Sequence, residues 1–171
     1  QPVQREVGRL WQMNRLNVAQ EHYVTAATQL IMSQLYPRIF TTTRVGRCLV
    51  ATCVGGELHE IGVRMVADFF EMDGWQTVQL GADVPIGDIA KAVDFFEVDL
   101  LGLSASQSTQ LETVRETVKA VRLARPPGSI KILVGGFAFV GFERLARQLG
   151  ADGYAPGPAT AVELGRQLVF D

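Results

Sequence analysis

The chain has 171 residues, of which 47% are hydrophobic, and its 16 basic and 18 acidic side chains give a formal net charge of −2. A chain of this size and apolar content can bury one good core and carry a helical appendage besides. The sequence has no basic run that would neutralise nucleic-acid phosphates and no apolar stretch of membrane-spanning length. Since its first residues also lack a signal-peptide pattern, we expect a cytoplasmic protein that contacts neither nucleic acid nor membrane directly.

Two helices are predicted at the start of the chain. Apolar residues at helical spacing predict the first helix over residues 4–15, and these residues are Val3, Val7, Leu10 and Trp11. Asn17, with Gln20 three places on, resembles a capping box and predicts a second helix from Val18 to Tyr36 that Pro37 ends. Because the chain starts without Met and in mid-helix, we expect it to be part of a longer protein.

A linker is predicted after these helices. Residues 38–46 include three consecutive threonines and Gly46, which are typical of a connecting segment. Beyond it, short apolar runs of strand length alternate with helical patterns. We therefore expect a helical cap, part of a helix bundle, over residues 1–37, the linker over 38–46 and a second domain over 47–171.

Strands and helices alternate through the second domain. The five predicted strands are Arg47–Cys53, Trp75–Leu80, Leu100–Ala105, Ile130–Val134 and Gly153–Ala155. This alternation predicts an α/β fold with a five-stranded parallel, doubly wound sheet of the flavodoxin or Rossmann type. Thr109 and Glu112 predict a capping box for the helix after the third strand. Cys48 and Cys53 lie five residues apart on one strand, so we expect reduced thiols on opposite faces.

Unusual side chains follow three of the predicted strands. Glu57 and His59 come after the first strand, Ser104 and Ser106 after the third, and Gly135–Gly136 after the fourth. These residues should line one crevice, because the carboxyl ends of parallel strands meet at the edge where α/β proteins bind ligands. A neutral imidazole there can bind a metal, and Glu57 can hold its other ring nitrogen. One histidine is too few for zinc, so the metal is expected to bring its own ligands in a macrocycle.

The series Glu57-x-His59-x-x-Gly62, Ser104-Ala105-Ser106 and Gly135-Gly136 resembles the signature of the cobalamin-binding domain family over residues 45–170. The family's usual motif has Asp where this chain has Glu57. The resemblance implies that His59 is the lower cobalt ligand and displaces the dimethylbenzimidazole tail of the cofactor. It also implies that Glu57 supports His59 from the second coordination shell. It also implies that the tail lies in a slot beside the sheet, with Ser104 as its hydrogen-bonding partner and the two glycines as the slot floor.

The same resemblance implies further contacts with the cofactor. The segment Leu80–Pro85 looks like the loop that flanks the corrin ring in this family. The other residues that the resemblance assigns to the cofactor are Leu58, Ile61, Gly62, Val84, Ser106 and Tyr154.

A second match lies in the helical region. Trp11 and the pair Glu21-His22 are separated by nine residues, which resembles the mark of adenosylcobalamin-dependent light sensors of the light-regulated repressor type. In that group a helical bundle caps the cofactor, the Trp lies over the adenosyl group and the Glu hydrogen-bonds it. The resemblance thus assigns Trp11, Glu21 and His22 to the cofactor. Gln12 departs from the pattern, because the best-known members have there a His that takes the upper cobalt position after light.

The sequence therefore favours a photosensory module rather than an enzyme. Such a module would hold adenosylcobalamin base-off with His59 on the cobalt, and would signal through cap movement or a change of oligomer after light breaks the cobalt–carbon bond. Its expected partners are cobalamin, further copies of the chain, or an effector domain of the same chain. The alternative is a corrinoid carrier for methyl transfer or the cobalamin subunit of a mutase. A receiver-like domain fits less well, since the acidic cluster such domains use for magnesium is missing.

Each of these residues also has a structural interpretation. His59 could be a structural histidine, Trp11 core filling, Glu21 a helix-dipole residue, and Ser104 and Ser106 turn residues. The other large apolar side chains singled out in the second domain are assigned to its core, and these are Met65, Phe69, Phe70, Phe95, Phe96, Phe137, Phe139 and Phe142.

Overall fold

The computed structural model describes residues 2–39, 43–126 and 128–171. The chain divides into two compact units, Gln1–Thr41 and Thr42–Asp171. Part of the predicted linker, residues 40–42, lies outside the described residues. Within the described ranges, no helix combines the length and the apolarity needed to cross a membrane.

The first unit consists of helix α1 over Pro2–Gln12 and helix α2 over Val18–Ile39. The Asn17 side chain accepts a hydrogen bond from the Gln20 N–H at 2.9 Å, and Gln20 Oε1 accepts one from the Asn17 N–H at 3.0 Å. The predicted capping box is therefore confirmed. It satisfies two backbone donors at the start of α2, where donors lack partners within the helix.

The boundaries of both helices differ from the prediction. Helix α1 ends three residues before the predicted end at residue 15, and α2 continues through Pro37 to Ile39. The predicted stop at Pro37 is wrong, because the fixed φ of proline suits a helix. Near the end of a helix, its missing N–H costs a single hydrogen bond.

In the described part of the second unit, five parallel strands form one sheet in the order β2-β1-β3-β4-β5. The strands are β1 Cys48–Val54, β2 Gln76–Val84, β3 Leu100–Ser104, β4 Lys131–Gly135 and β5 Gly153–Tyr154. The helices between and after them are α3 Ile61–Met72, α4 Ile86–Phe95, α5 Leu111–Ala124, α6 Glu143–Gln148 and α7 Pro158–Phe170. Short 3-10 turns cover Ser108–Gln110 and Phe137–Phe139. The predicted parallel α/β sheet is confirmed.

The sheet buries a core on each face, because successive strand residues point to opposite sides. Helices α4, α5 and α6 cover one face, and α3 and α7 cover the other. Cys48 belongs to the first core and Cys53 to the second, and both are buried free thiols. The expectation of reduced cysteines on opposite faces is therefore confirmed.

Several phenylalanines assigned to the core are exposed instead. The exposed fractions are 41% for Phe69, 80% for Phe95, 77% for Phe137 and 66% for Phe142. Adjacent residues on a helix point about 100° apart, so burial of Phe70 turns its neighbour Phe69 away from the core.

Two local predictions, one at the end of strand β2 and one after strand β3, are also wrong. A capping box was predicted at Thr109 and Glu112. The structure has it at Gln107 and Gln110 instead, because a 3-10 turn starts ahead of α5. The segment Leu80–Pro85, predicted as a loop, is largely strand, since β2 pairs with β1 as far as Val84. Positive φ angles at Gly81 (87°) and Asp83 (52°), together with shifts in the β1–β2 register, let the strand bend and still pair.

Candidate functional site

The centre of the site is a buried carboxylate after strand β1. The Glu57 side chain is fully buried. Its Oε1 lies 2.7 Å from the His59 backbone N and 2.6 Å from His59 Nδ1, and its Oε2 accepts a hydrogen bond from the Ser106 N–H at 2.5 Å. Glu57 therefore joins the loop after β1 to the loop after β3, and fixes the histidine ring at the same time.

This arrangement determines which nitrogen of His59 carries the proton. Burial by itself would raise the pKa of Glu57, but the hydrogen bonds from His59 and Ser106 outweigh it and lower the pKa from 4.5 to about 2. An ionised carboxylate only accepts hydrogen bonds, so Nδ1 of the ring carries a proton, and in the neutral ring Nε2 has the lone pair. The His59 side chain is 70% exposed, so a ligand can reach the ring.

Neighbouring residues hold the turn ahead of Glu57 from two sides. The Gly56 N–H donates to Asp83 Oδ1 at 2.6 Å, and the Asp83 N–H donates to the Glu57 carbonyl at 2.9 Å. On the other side, Gln110 Nε2 donates to the Gly56 carbonyl at 2.9 Å. Sequence reasoning missed the role of Asp83 and Gln110. Only long-range contacts reveal it, and the sequence pattern around either residue carries no signal for it.

Small side chains line the carboxyl end of the sheet beside this loop. Cys53, Ser104 and Gly135 are direct neighbours across strands β1, β3 and β4. They share the face covered by α3 and α7, since Cys53 packs in that core. Gly136 has a φ of 101° and its Cα lies against the backbone of Ala105, so a side chain there would clash. Within the described ranges, the Ser104 hydroxyl has no hydrogen-bond partner.

The remaining predicted residues of this unit are placed as follows. Leu58, between Glu57 and His59, is 72% exposed, and Ile61 and Gly62 begin α3 beside it. Val84 ends β2 and packs against the core under α4 and α5. Tyr154 packs on that same face, with its ring centroid 6.0 Å from that of Phe139, and thus away from the row containing Ser104. Contact of these residues with a cofactor stays a prediction.

The helical unit holds the other three predicted residues. Trp11 lies on α1 with 46% of its surface exposed. Glu21 Oε1 accepts a hydrogen bond from the Thr25 hydroxyl at 2.8 Å, and Glu21 Oε2 lies 3.6 Å from His22 Nε2. The His22 side chain is 75% exposed, so the roles predicted for these residues remain predictions.

The donors at the site fit a metal complex that brings most of its own ligands. Among the described residues, no group of three or more His, Cys, Asp or Glu side chains could hold a bare ion. His59 offers one nitrogen in a fixed tautomer, backed by a carboxylate, as in carboxylate–histidine–metal arrangements. The site therefore suits a metal whose other ligands come from its own ring.

Comparison with known proteins agrees with this chemistry. Two family models, both described as B12 binding domains, match residues 47–163 and 1–36. Dimethylamine corrinoid protein 1 of Methanosarcina acetivorans is 26% identical over 169 residues, covering 96% of this chain and 77% of that protein. The HTH-type transcriptional repressor CarH of Myxococcus xanthus is 33% identical over 138 residues, covering 80% of this chain and 45% of that protein.

A solved structure shares the fold of the chain. The monomethylamine corrinoid protein of Methanosarcina barkeri has a similar fold, with a TM-score of 0.83 and 21% identity over 96% of this chain and 78% of that one. The chain spans 56% of the length of a further relative, dimethylamine corrinoid protein 3 of Methanosarcina acetivorans.

These relatives correct one expectation from the sequence. We expected a chain without a part in an enzyme system, and the corrinoid proteins among its relatives contradict that expectation. Dimethylamine corrinoid protein 1 matches 96% of the chain, whereas the repressor matches 80%.

Proposed function

Since the chain belongs to the B12-binding domain family, whose model matches residues 47–163, we propose that it is a corrinoid carrier of a methyl-transfer system. The observation that carries the proposal is the exposed His59 ring held by the buried Glu57 carboxylate. The likeness to dimethylamine corrinoid protein 1 supports methyl transfer over other cobalamin chemistry. Bound cobalamin would supply a cobalt centre able to accept and give up a methyl group.

The chain's own task would be to bind the cofactor in one orientation. His59 Nε2 is the proposed lower ligand, and Glu57 keeps its ring in the Nδ1-protonated tautomer through the 2.6 Å contact. A ligand whose orientation is fixed beforehand loses less entropy on binding. This geometry therefore favours replacement of the cofactor's own nucleotide base by the protein imidazole.

The displaced nucleotide tail needs space beside the sheet. We assign it to the row formed by Cys53, Ser104 and Gly135, where the side chains are small. The Ser104 hydroxyl would then hydrogen-bond a ring nitrogen of the tail. Gly135 and Gly136 would form the floor of this slot, as the family resemblance implies.

Light sensing with adenosylcobalamin is a second candidate function. The 33% identity to the repressor CarH and the nine-residue spacing of Trp11 and Glu21-His22 favour it. In this case residues 1–37 would act as the cap, 38–46 as the linker, and a change of oligomer would be the signal. Replacing Trp11 by Ala should then weaken the preference for adenosylcobalamin over methylcobalamin, and an unchanged preference would count against it.

The lower ligand can be tested directly because the chain has two histidines. Protein labelled with ¹⁵N-histidine is loaded with cob(II)alamin and studied by electron paramagnetic resonance. A protein imidazole on cobalt changes the nitrogen splitting from the triplet of ¹⁴N to the doublet of ¹⁵N. We expect the doublet in wild type and in the matched control His22→Ala, and its loss in His59→Ala. A triplet in wild type would contradict the assignment of His59.

The two candidate functions are separated by cofactor preference and by light. Methyl- and adenosylcobalamin are titrated into the protein in darkness, and each complex is then illuminated with green light and passed over a size-exclusion column. A methyl carrier should bind methylcobalamin at least as tightly and keep its oligomeric state after light. Preference for adenosylcobalamin with a change of oligomer after light would favour the sensor instead.

A further inference from the structure

Gln110 is a buried polar residue outside the family motifs. It ends the 3-10 turn Ser108–Gln110 ahead of helix α5, and only 6% of its surface is exposed. A buried side-chain amide is costly unless its donors and acceptor find partners. Its partners therefore show what the side chain holds together.

Both ends of the Gln110 amide bind backbone groups. Oε1 accepts hydrogen bonds from the N–H groups of Ser106 and Gln107, each at 3.0 Å. Nε2 donates to the carbonyl of Gly56 at 2.9 Å, across 54 positions of sequence. The amide thus connects the loop after β3 to the turn after β1.

The groups that Gln110 holds are the ones on which Glu57 depends. The Ser106 N–H that donates to Gln110 also donates to Glu57 Oε2. Gly56 directly precedes Glu57, and Asp83 holds its N–H from the opposite side at 2.6 Å. Fixing Gly56 and Ser106 together sets where the Glu57 carboxylate lies, and that carboxylate in turn holds the His59 ring.

We propose that Gln110 is a positioning residue for His59, acting through Gly56, Ser106 and the Glu57 carboxylate. The inference rests on the proposed role of His59 as lower ligand of the corrinoid. An amide suits this position because it donates and accepts at once without carrying charge. A carboxylate at residue 110 would lose the bond to Gly56 and add a second negative charge at the Ser106 N–H, beside Glu57.

A double-mutant cycle tests whether Gln110 acts through His59. Gln110→Leu, which keeps the size but removes both polar groups, is compared in the wild-type and His59→Ala backgrounds by the Kd for methylcobalamin. The matched control is Gln107→Ala, which removes the other half of the same capping box without touching Gly56. Gln110→Leu should weaken binding about tenfold in wild type, as expected for loss of a buried hydrogen bond. In the His59→Ala background, and for Gln107→Ala, the change should stay below about twofold.

A second readout uses the protein without cofactor. Side-chain ¹⁵N NMR of the two histidines should report His59 as the Nδ1-protonated tautomer in wild type and as a mixture in Gln110→Leu, with His22 unchanged. If Gln110→Leu does not fold, Gln110→Asn, with the same amide on a shorter stem, replaces it in both measurements with the same expected direction.

Three outcomes would overturn the inference. An equal loss of affinity in both backgrounds would mean that Gln110 acts on the fold or on the cofactor itself. No loss in wild type, or an unchanged His59 tautomer, would mean that the ring is held without it. Failure of the proposed function can be distinguished from failure of this inference. If the proposed function is wrong, His59→Ala should bind methylcobalamin as tightly as wild type does.

Discussion

Replacement of Glu57 by Gln is the sharpest test of the buried carboxylate. The amide has nearly the same shape, so it fills the same space between His59 and the Ser106 N–H. It carries no charge, however, and one of its two polar ends is a donor that faces another N–H. We therefore expect Glu57→Gln to fold and to be less stable than wild type at neutral pH.

The size of the effect follows from the pKa of Glu57. A value lowered from 4.5 to about 2 means that folding favours the ionised form, by about 3 kcal/mol. Because the folded-state pKa is the lower one, this stability is present above pH 4.5 and is lost as the pH falls towards 2. Linkage then gives a contribution of about 3 kcal/mol at pH 6 and about 1.4 kcal/mol at pH 3.

The assay is urea unfolding of wild type and Glu57→Gln, without cofactor, at half-unit steps from pH 6 to pH 3. All other titratable groups are common to the two proteins, so the pH dependence of the difference in their unfolding free energies reports the carboxylate of Glu57 together with its contact to His59. We expect that difference to shrink by about half over this range. A difference that stays constant with pH would refute the argument that the charge of this carboxylate holds the loop.

Three further predictions follow from individual residues. Gly136→Ala should cost about 3 kcal/mol or more in unfolding free energy, because Gly136 has a φ of 101° and an added side chain would clash with the backbone of Ala105. The control is Gly141→Ala. Gly141 has a φ of 81° but open space around it, so this variant should cost about 1 kcal/mol. Equal costs would contradict the clash. Burial, with Glu57 and Glu60 nearby, raises the pKa of the Cys53 thiol to about 12, so alkylation at pH 8 should be on the order of 10³-fold slower in the folded protein than in urea. Peptide mapping that finds comparable rates would show an accessible thiolate. Asn17→Ala should destabilise the start of α2 by about 1 kcal/mol, seen as faster hydrogen exchange at the Gln20 amide, and unchanged exchange would mean that the capping box of the first unit contributes nothing.

The features predictable from the sequence are those set by local periodicity. The strand and helix pattern of the second domain gave the parallel sheet, and the positions of Cys48 and Cys53 gave their opposite faces. Asn17 and Gln20 form their capping box because its geometry spans only four residues. The order of strands also placed Glu57 and Ser106 at one edge, where the structure joins them.

The features missed depend on contacts between distant parts of the chain. Gln110 contacts Gly56 across 54 positions, so its local sequence shows only a polar residue near a helix start. Phe95 and Phe96 have equal hydrophobicity, yet Phe95 is 80% exposed while Phe96 packs against a core, and this depends on how α4 lies on the sheet. Likewise the extension of β2 to Val84 requires the bend at Gly81 and Asp83, which becomes favourable only when β1 is there to pair with it.

The unequal edges of the sheet have a consequence for strand pairing between molecules. A long flat edge strand invites pairing with another chain, which leads to aggregation. Here one edge, β5, has two residues, and the other, β2, has an irregular register along its second half. Both edges therefore offer a poor template for strand pairing between molecules.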